Sequence, residues 1–168
     1  MAPNVRALAA SLIDRLSQQG WTLSLGESCT GGLLGAYLTS CPGVSAVLTH
    51  GFVCYSNMAK MDILGVELSV MEEFGSVSEA VAVQMAEGAA AAGRSDVGLA
   101  LTGIAGPGGG TPAKPVGLVF GAISIRGTVQ SAEWRFKGNR DEIREASVKS
   151  LLTFANANLR GLEALKRH

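Results

Sequence analysis

The chain has 168 residues, of which 47% are hydrophobic and 17% charged, with 14 Lys+Arg balancing 14 Asp+Glu. That length and a mean hydropathy of +0.27 fit one ordinary folded domain spanning residues 1–168 and exclude a disordered tail. The neutral balance removes the general positive field that non-specific nucleic-acid binding needs, so no direct nucleic-acid partner is expected.

The first segment carries Val5, Leu8, Leu12, Ile13 and Leu16 at helical spacing and stops at Gly20. A short strand is predicted over Trp21 to Gly26. Glu27-Ser28-Cys29-Thr30-Gly31-Gly32 then leads into an apolar helix from Leu33 to Leu38, which ends before the turn signal Cys41-Pro42-Gly43. Ala46 to Tyr55 is rich in β-branched and aromatic residues and predicts a second strand. Ser56 is placed to cap a helix through Lys60 to about Leu64, closed by Gly65.

Ser76-Val77-Ser78-Glu79 has the form of a capping box ahead of an Ala-rich helix running to Ala92. Val97 to Thr102 predicts a short buried strand. Gly103 to Pro112 is too rich in breakers to be anything but loop. Val116 to Ile125 and Thr128 to Phe136 predict a hairpin through Arg126-Gly127. Asn139 caps a long last helix whose apolar face carries Ile143, Val148, Leu151, Leu152, Ala155, Leu159 and Leu162. Alternating helices and strands followed by a hairpin and a helix predict a three-layer α/β/α domain with a mixed central sheet.

Cys29, Cys41 and Cys54 show no CxxC spacing, so neither a disulfide framework nor a metal site is expected, and no cofactor motif appears. Arg6 and Asp14 interrupt the opening segment, and no uncharged run is long enough to cross a bilayer. The expected address is the cytoplasm, with no membrane partner.

Several residues are candidates for chemistry. At a strand-to-helix corner, Ser28 reads either as a helix cap or as a nucleophile whose oxyanion is held by nearby N–H groups. The G-x-S-x-G elbow is absent. His168 ends the chain and His50 lies in an apolar strand, where a structural histidine is the simpler account, so a Ser-His pair has little support. Lys60 is the other available activator, if burial leaves its amine neutral, and its alternative is an exposed surface lysine. Ser56, four residues earlier, is better used as a cap. Tyr55 is either a proton shuttle or a strand-end aromatic. Cys29 reads as a buried inert thiol.

The loop Thr102 to Pro115 resembles a phosphate cradle in composition but matches neither G-x-x-x-x-G-K-[ST] nor G-x-G-x-x-G. Its three successive glycines allow close backbone approach to a ligand. Arg140 and Arg144 are spaced i,i+4 at the start of the last helix, either to clamp a phosphate or to pair with Asp141 and Glu145.

Taken together, Glu27 to Gly32, Tyr55-Ser56-Asn57 with Ala59-Lys60, Gly75 to Glu79, Thr102 to Thr111 and Lys114-Pro115-Val116-Gly117 resemble the C-terminal domain family of the competence/damage-inducible protein CinA. This family is also known as nicotinamide-nucleotide amidase. The similarity runs from the first helix to the last and does not include the molybdopterin-binding-like module of two-domain members.

The resemblance implies hydrolysis of nicotinamide mononucleotide to nicotinate mononucleotide and ammonia, with Ser28 as nucleophile, Lys60 as general base and Tyr55 assisting proton transfer. It places Thr30, Gly31, Asn57, Thr102, Gly103, Gly106, Gly108 and Gly109 on substrate-binding motifs, and either Arg140 or Arg144 in the role of the family's arginine. The implied partner is a small nucleotide, and a homo-oligomer is a family-level expectation. A catalytically silent nucleotide-binding or competence-associated interaction module is the rival reading. Cys54, Met58 and Cys41 stand where the family commonly has threonine, glutamate and valine. Met58 thereby removes a carboxylate from the first turn near Lys60.

Overall fold

In the computed structural model, which describes residues 1–165, the order is α1 (Pro3–Gln19), β1 (Leu23–Glu27), α2 (Leu33–Thr39), β2 (Leu48–Val53), α3 (Asn57–Leu64), α4 (Leu68–Phe74), α5 (Glu79–Ala92), β3 (Val97–Gly103), β4 (Leu118–Ile125), β5 (Thr128–Arg135) and α6 (Arg140–Leu165). The strands form one sheet in the order β2-β1-β3-β4-β5. β1 is parallel to both β2 and β3, and β3-β4-β5 is antiparallel.

Side-chain alternation builds the layers. Val97, Leu99 and Leu101 of β3 join Leu23 and Leu25 of β1 in a core packed by α1, α2 and α6. The opposite face carries smaller residues, Gly98 and Ala100 of β3 with Gly26 of β1, against α5. A Cβ on Gly98 would collide with the Ala86 carbonyl. That face forms a second core with Leu64, Met71, Val81 and Met85 from α3, α4 and α5. The predicted three-layer α/β/α architecture with a mixed sheet is the one observed.

Differences fall at weakly signalled places. Ala46 ends a 3-10 turn (Val44–Ala46), so the second strand begins only at Leu48. That strand is an edge paired on one side, and its burial alternates poorly. His50 is accordingly exposed, with its ring stacked on Phe52 at 5.5 Å. The expected core histidine is therefore a surface one, and His168 lies outside the described residues. Helix α4 was not expected; it is seven residues long and its N-cap, Glu67, makes no side-chain cap bond.

The cap of α5 is Ser78, whose Oγ accepts from Val81 N, rather than Ser76 two residues earlier. The reciprocal capping box occurs instead at α6. There Asn139 Oδ1 accepts from Asp141 N and Glu142 N, and Glu142 Oε2 accepts from Asn139 N.

Candidate active site

The chain leaves β1 through α2 on one face to reach β2. It returns through α3, α4 and α5 on the other face to β3, on the far side of β1. Connections therefore diverge at the carboxyl ends of β1 and β3, the place where open α/β sheets form ligand crevices. A cleft of about 250 Å³ opens there. Of the residues singled out in the sequence, it brings together Ser28, Tyr55, Asn57, Lys60, Thr102, Gly103, Gly106, Gly108, Gly109 and Arg140, with Cys29 beside Ser28. Thr30, Gly31 and Arg144 do not line it.

At the β1–α2 corner, the pleat sends consecutive side chains to opposite faces, so Glu27 turns toward α2 while Ser28 meets the cleft. Glu27 is 2% exposed. Its Oε2 accepts from Thr30 Oγ1 at 2.6 Å, Gly32 N at 3.1 Å and Leu34 N at 3.1 Å, and its Oε1 accepts from Gly35 N at 2.9 Å. This carboxylate does the work of an N-cap for a helix whose own N-cap residue, Gly32, has no side chain. Left-handed backbone at Gly31 (φ 58°) and Gly32 (φ 94°) wraps the chain around it.

Thr30 is turned to Glu27, and the Gly31 N–H donates to the Ser28 carbonyl at 3.1 Å. Gly103, by contrast, lines the cleft. Ser28 N donates to Leu101 O on the β1 side of β3, whereas Ile104 N donates to Leu118 O on the β4 side. Strand alternation then aims the Gly103 N–H past the end of β1, toward Ser28.

At the neighbouring β2–α3 junction, Ser56 Oγ accepts from Ala59 N and caps α3 as expected. Asn57, the first helical residue, is exposed at the cleft. Lys60 is only 3% exposed, and its Nζ donates to the Tyr55 carbonyl at 3.5 Å. Burial lowers its pKa below the ordinary lysine value, and the nearby Cys54 and Cys29 thiols oppose that only in part. Among the described residues, no Asp or Glu lines the cleft to hold an ammonium there. Burial pushes the Cys29 thiol up to about 11, so Cys29 is protonated and inert.

The glycine loop is fixed at both ends by cations. Arg140 Nη1 donates to Gly106 O at 2.7 Å and its Nη2 to Tyr55 Oη at 2.6 Å. One guanidinium thus joins the loop, the β2–α3 junction and α6. Tyr55 is 59% exposed, and its hydroxyl, having accepted from Arg140, keeps its own proton to donate. Lys114 Nζ donates to the carbonyls of Phe74 and Val77, and Thr102 Oγ1 to Ser76 O at 2.8 Å, which tie the α4–α5 turn to the cleft wall. Gly108 faces open space, with no atom within 4 Å of an added Cβ.

The two arginines differ in position. Arg140 lines the cleft, whereas Arg144 donates to Thr30 O at 2.8 Å and pairs with Asp141, bracing the Ser28 corner from outside. The pair does not form one clamp. Sequence reasoning assigned no role to Glu27 or Lys114. A signal for Glu27 was available: an acid at a strand end, a hydroxyl three residues on, then two glycines. A larger cavity of about 870 Å³ lies along α6 beside Trp21, Phe154 and Leu162, but no Ser, Cys, Lys, His or carboxylate is among its described lining residues.

The sequence model described as CinA C-terminal domain matches residues 5–159. A putative competence-damage inducible protein of Caldicellulosiruptor bescii is 48% identical over 141 residues, covering 84% of this chain and 34% of its own length. A CinA-like protein of Syntrophotalea carbinolica gives the same identity and coverage. The chain thus spans about a third of the length of these curated relatives.

Among solved structures, the competence/damage inducible protein CihA of Agrobacterium tumefaciens superposes with a TM-score of 0.92 at 44% identity, covering 95% of this chain and 98% of that one. A CinA superfamily protein of Klebsiella pneumoniae gives 0.90 at 30% identity, covering 94% and 98%. The chain belongs to the CinA C-terminal domain family.

Proposed function

We propose that this domain is an amidohydrolase that converts nicotinamide mononucleotide and water into nicotinate mononucleotide and ammonia. One observation carries the reading: Lys60, buried and with a lowered pKa, lines the same small cleft as Ser28. A lysine whose amine is neutral near working pH is a general base.

Neutral Lys60 takes the proton of Ser28 Oγ as that oxygen adds to the carboxamide carbon. Negative charge builds on the carboxamide oxygen, where the Gly103 N–H donates to it; one such donor contributes about 3 kcal/mol. Lys60 then returns the proton to the departing nitrogen, ammonia leaves, and an acyl ester remains on Ser28. Water attacks that ester with Lys60 again accepting a proton, which it passes to Ser28 Oγ as the acyl–oxygen bond breaks and the acid departs, so that both groups are regenerated.

The remaining groups bind. Arg140 is the cation available to the substrate phosphate, and the open face of Gly108 lets the nucleotide approach the loop backbone. The proton that Tyr55 Oη retains is available to the substrate's polar groups. The wall of this site is backbone and neutral side chains apart from Lys60 and Arg140, which suits a ligand with one anionic end.

The test is ammonia release by the purified protein with nicotinamide mononucleotide, its riboside and free nicotinamide in parallel. The nucleotide is expected to be turned over with the highest kcat/KM. Binding of the nucleotide with no ammonia would replace this reading with that of a silent binding module.

A further inference from the structure

We infer that Glu27 is a positioning residue of this site, fixing the Ser28 corner without touching substrate; the inference rests on the amidase reading above. An ordinary N-cap side chain accepts from one backbone N–H of the first turn. Glu27 accepts four hydrogen bonds from Thr30, Gly32, Leu34 and Gly35, all from the segment that immediately follows Ser28 and Cys29. The backbone on either side is held as well. Ser28 N donates to Leu101 O, and Cys54 N, next to Tyr55, donates to Glu27 O at 2.8 Å. One residue therefore links the turn that presents the nucleophile, the strand end that leads to the oxyanion donor and the junction that presents the base.

Electrostatics gives the cluster its form. A bare carboxylate beside a serine that must become an alkoxide-like nucleophile would oppose the reaction. Four donors and the positive end of α2 compensate that charge and leave a rigid anchor. The same bonds use up the N–H groups of Gly32, Leu34 and Gly35. Oxyanion binding is thereby left to groups on the cleft side. The effect of Glu27 is on the placement of Ser28 Oγ, and so on the chemical step rather than on substrate affinity.

The experiment measures steady-state ammonia release and thermal unfolding for wild type, Ser28→Ala, Glu27→Gln, Thr30→Val, Thr30→Ser and the Glu27→Gln/Thr30→Val double variant. Glu27→Gln keeps the shape but puts an amide N–H where an acceptor is required. Its kcat per folded molecule is expected to fall about 10-fold or more with KM within about 2-fold. Thr30→Val, which removes only the hydroxyl donor, is expected to lower kcat by about 3-fold, and Thr30→Ser to recover most of that loss. The double variant should be no slower than Glu27→Gln, because Thr30 acts through the carboxylate.

A folded Glu27→Gln with wild-type kcat, a change confined to KM, or strictly additive losses in the double variant would each overturn the inference. If Glu27→Gln does not fold, the Thr30→Val and Thr30→Ser pair decides: equal kcat in the two refutes the role. Wild-type protein that releases no ammonia removes the amidase reading itself and this inference with it. Active wild type with inactive Ser28→Ala and unaffected Glu27→Gln removes only the inference.

Discussion

At the end of β1 the following helix is capped by a carboxylate, Glu27; at the end of the adjacent parallel β2 it is capped by a hydroxyl, Ser56. The two junctions are neighbours in one sheet and open on one cleft, yet their caps leave opposite electrostatics. The carboxylate compensates the positive end of α2 next to Ser28. The neutral hydroxyl leaves the positive end of α3 intact, and Lys60 is the fourth residue of that helix. A cation there is disfavoured by burial, and Met58 supplies no carboxylate to offset it. The group that caps a strand-to-helix corner therefore sets the electrostatics at the side chain the corner presents.

The strongest way to break the comparison is to remove the group each junction presents. Ser28→Ala should cut ammonia release by at least about 10³-fold with the melting temperature little changed. Activity near wild type would take Ser28 out of the chemistry. Lys60→Met should lower kcat by about 10²–10⁴-fold, and Lys60→Ala should do so as well.

The same substitution at Lys60 has a signature in stability. Lys60 titrates below its unfolded value, so between those two values the unfolded chain binds more protons than the fold. Stability must therefore rise with pH through that window, and Lys60→Met should remove that part of the slope in chemical denaturation. An unchanged slope would mean that the amine is solvated.

The two arginines sharpen the contrast between holding substrate and holding the corner. Arg140→Met should raise the KM for the nucleotide by about 10–100-fold and affect the riboside much less. Arg144→Met loses a charged hydrogen bond to Thr30 O, and should destabilise the fold by about 1–2 kcal/mol with KM within about 2-fold. A reversed pattern would exchange their roles. The smallest effect is expected from Met58→Glu. A carboxylate on this exposed position favours the charged lysine and should shift the ascending, acidic limb of the pH–rate profile upward by a fraction of a unit. A downward shift would contradict the electrostatic account of α3.

Local chemistry made much of this legible in the sequence. Helix periodicity, the Ser56 and Asn139 caps and the strand patterns of β3 to β5 fixed the architecture, because each depends on neighbours within a few residues. Ser28, Lys60 and the glycine loop stood out as unusual residue types at element boundaries. What was not legible depends on distant partners. That Thr30 and the N–H groups of α2 serve Glu27 follows from the way the corner closes on itself. That Arg140 and not Arg144 enters the cleft depends on where α6 packs, since both share one helical face. The edge position of β2, which exposes His50, is a matter of strand order, and strand order is not a property of the strand. Ser78 displaced Ser76 as a cap because the chain turns through residues 76–78 and the extended residue directly ahead of the helix is Ser78 (φ −158°, ψ 161°).

Activation of Ser28 requires a single amine, that of Lys60, to be unprotonated, and its protonation can be observed without turnover. In protein labelled with 13C at lysine Cε, an NMR pH titration, with Lys60→Met used to assign the signal, reads each amine separately. Lys60 is predicted to titrate clearly below the ordinary lysine value, and to move back toward it in Met58→Glu. A Lys60 signal titrating at that ordinary value, near about 10.4, would mean a charged amine at working pH and no base for Ser28.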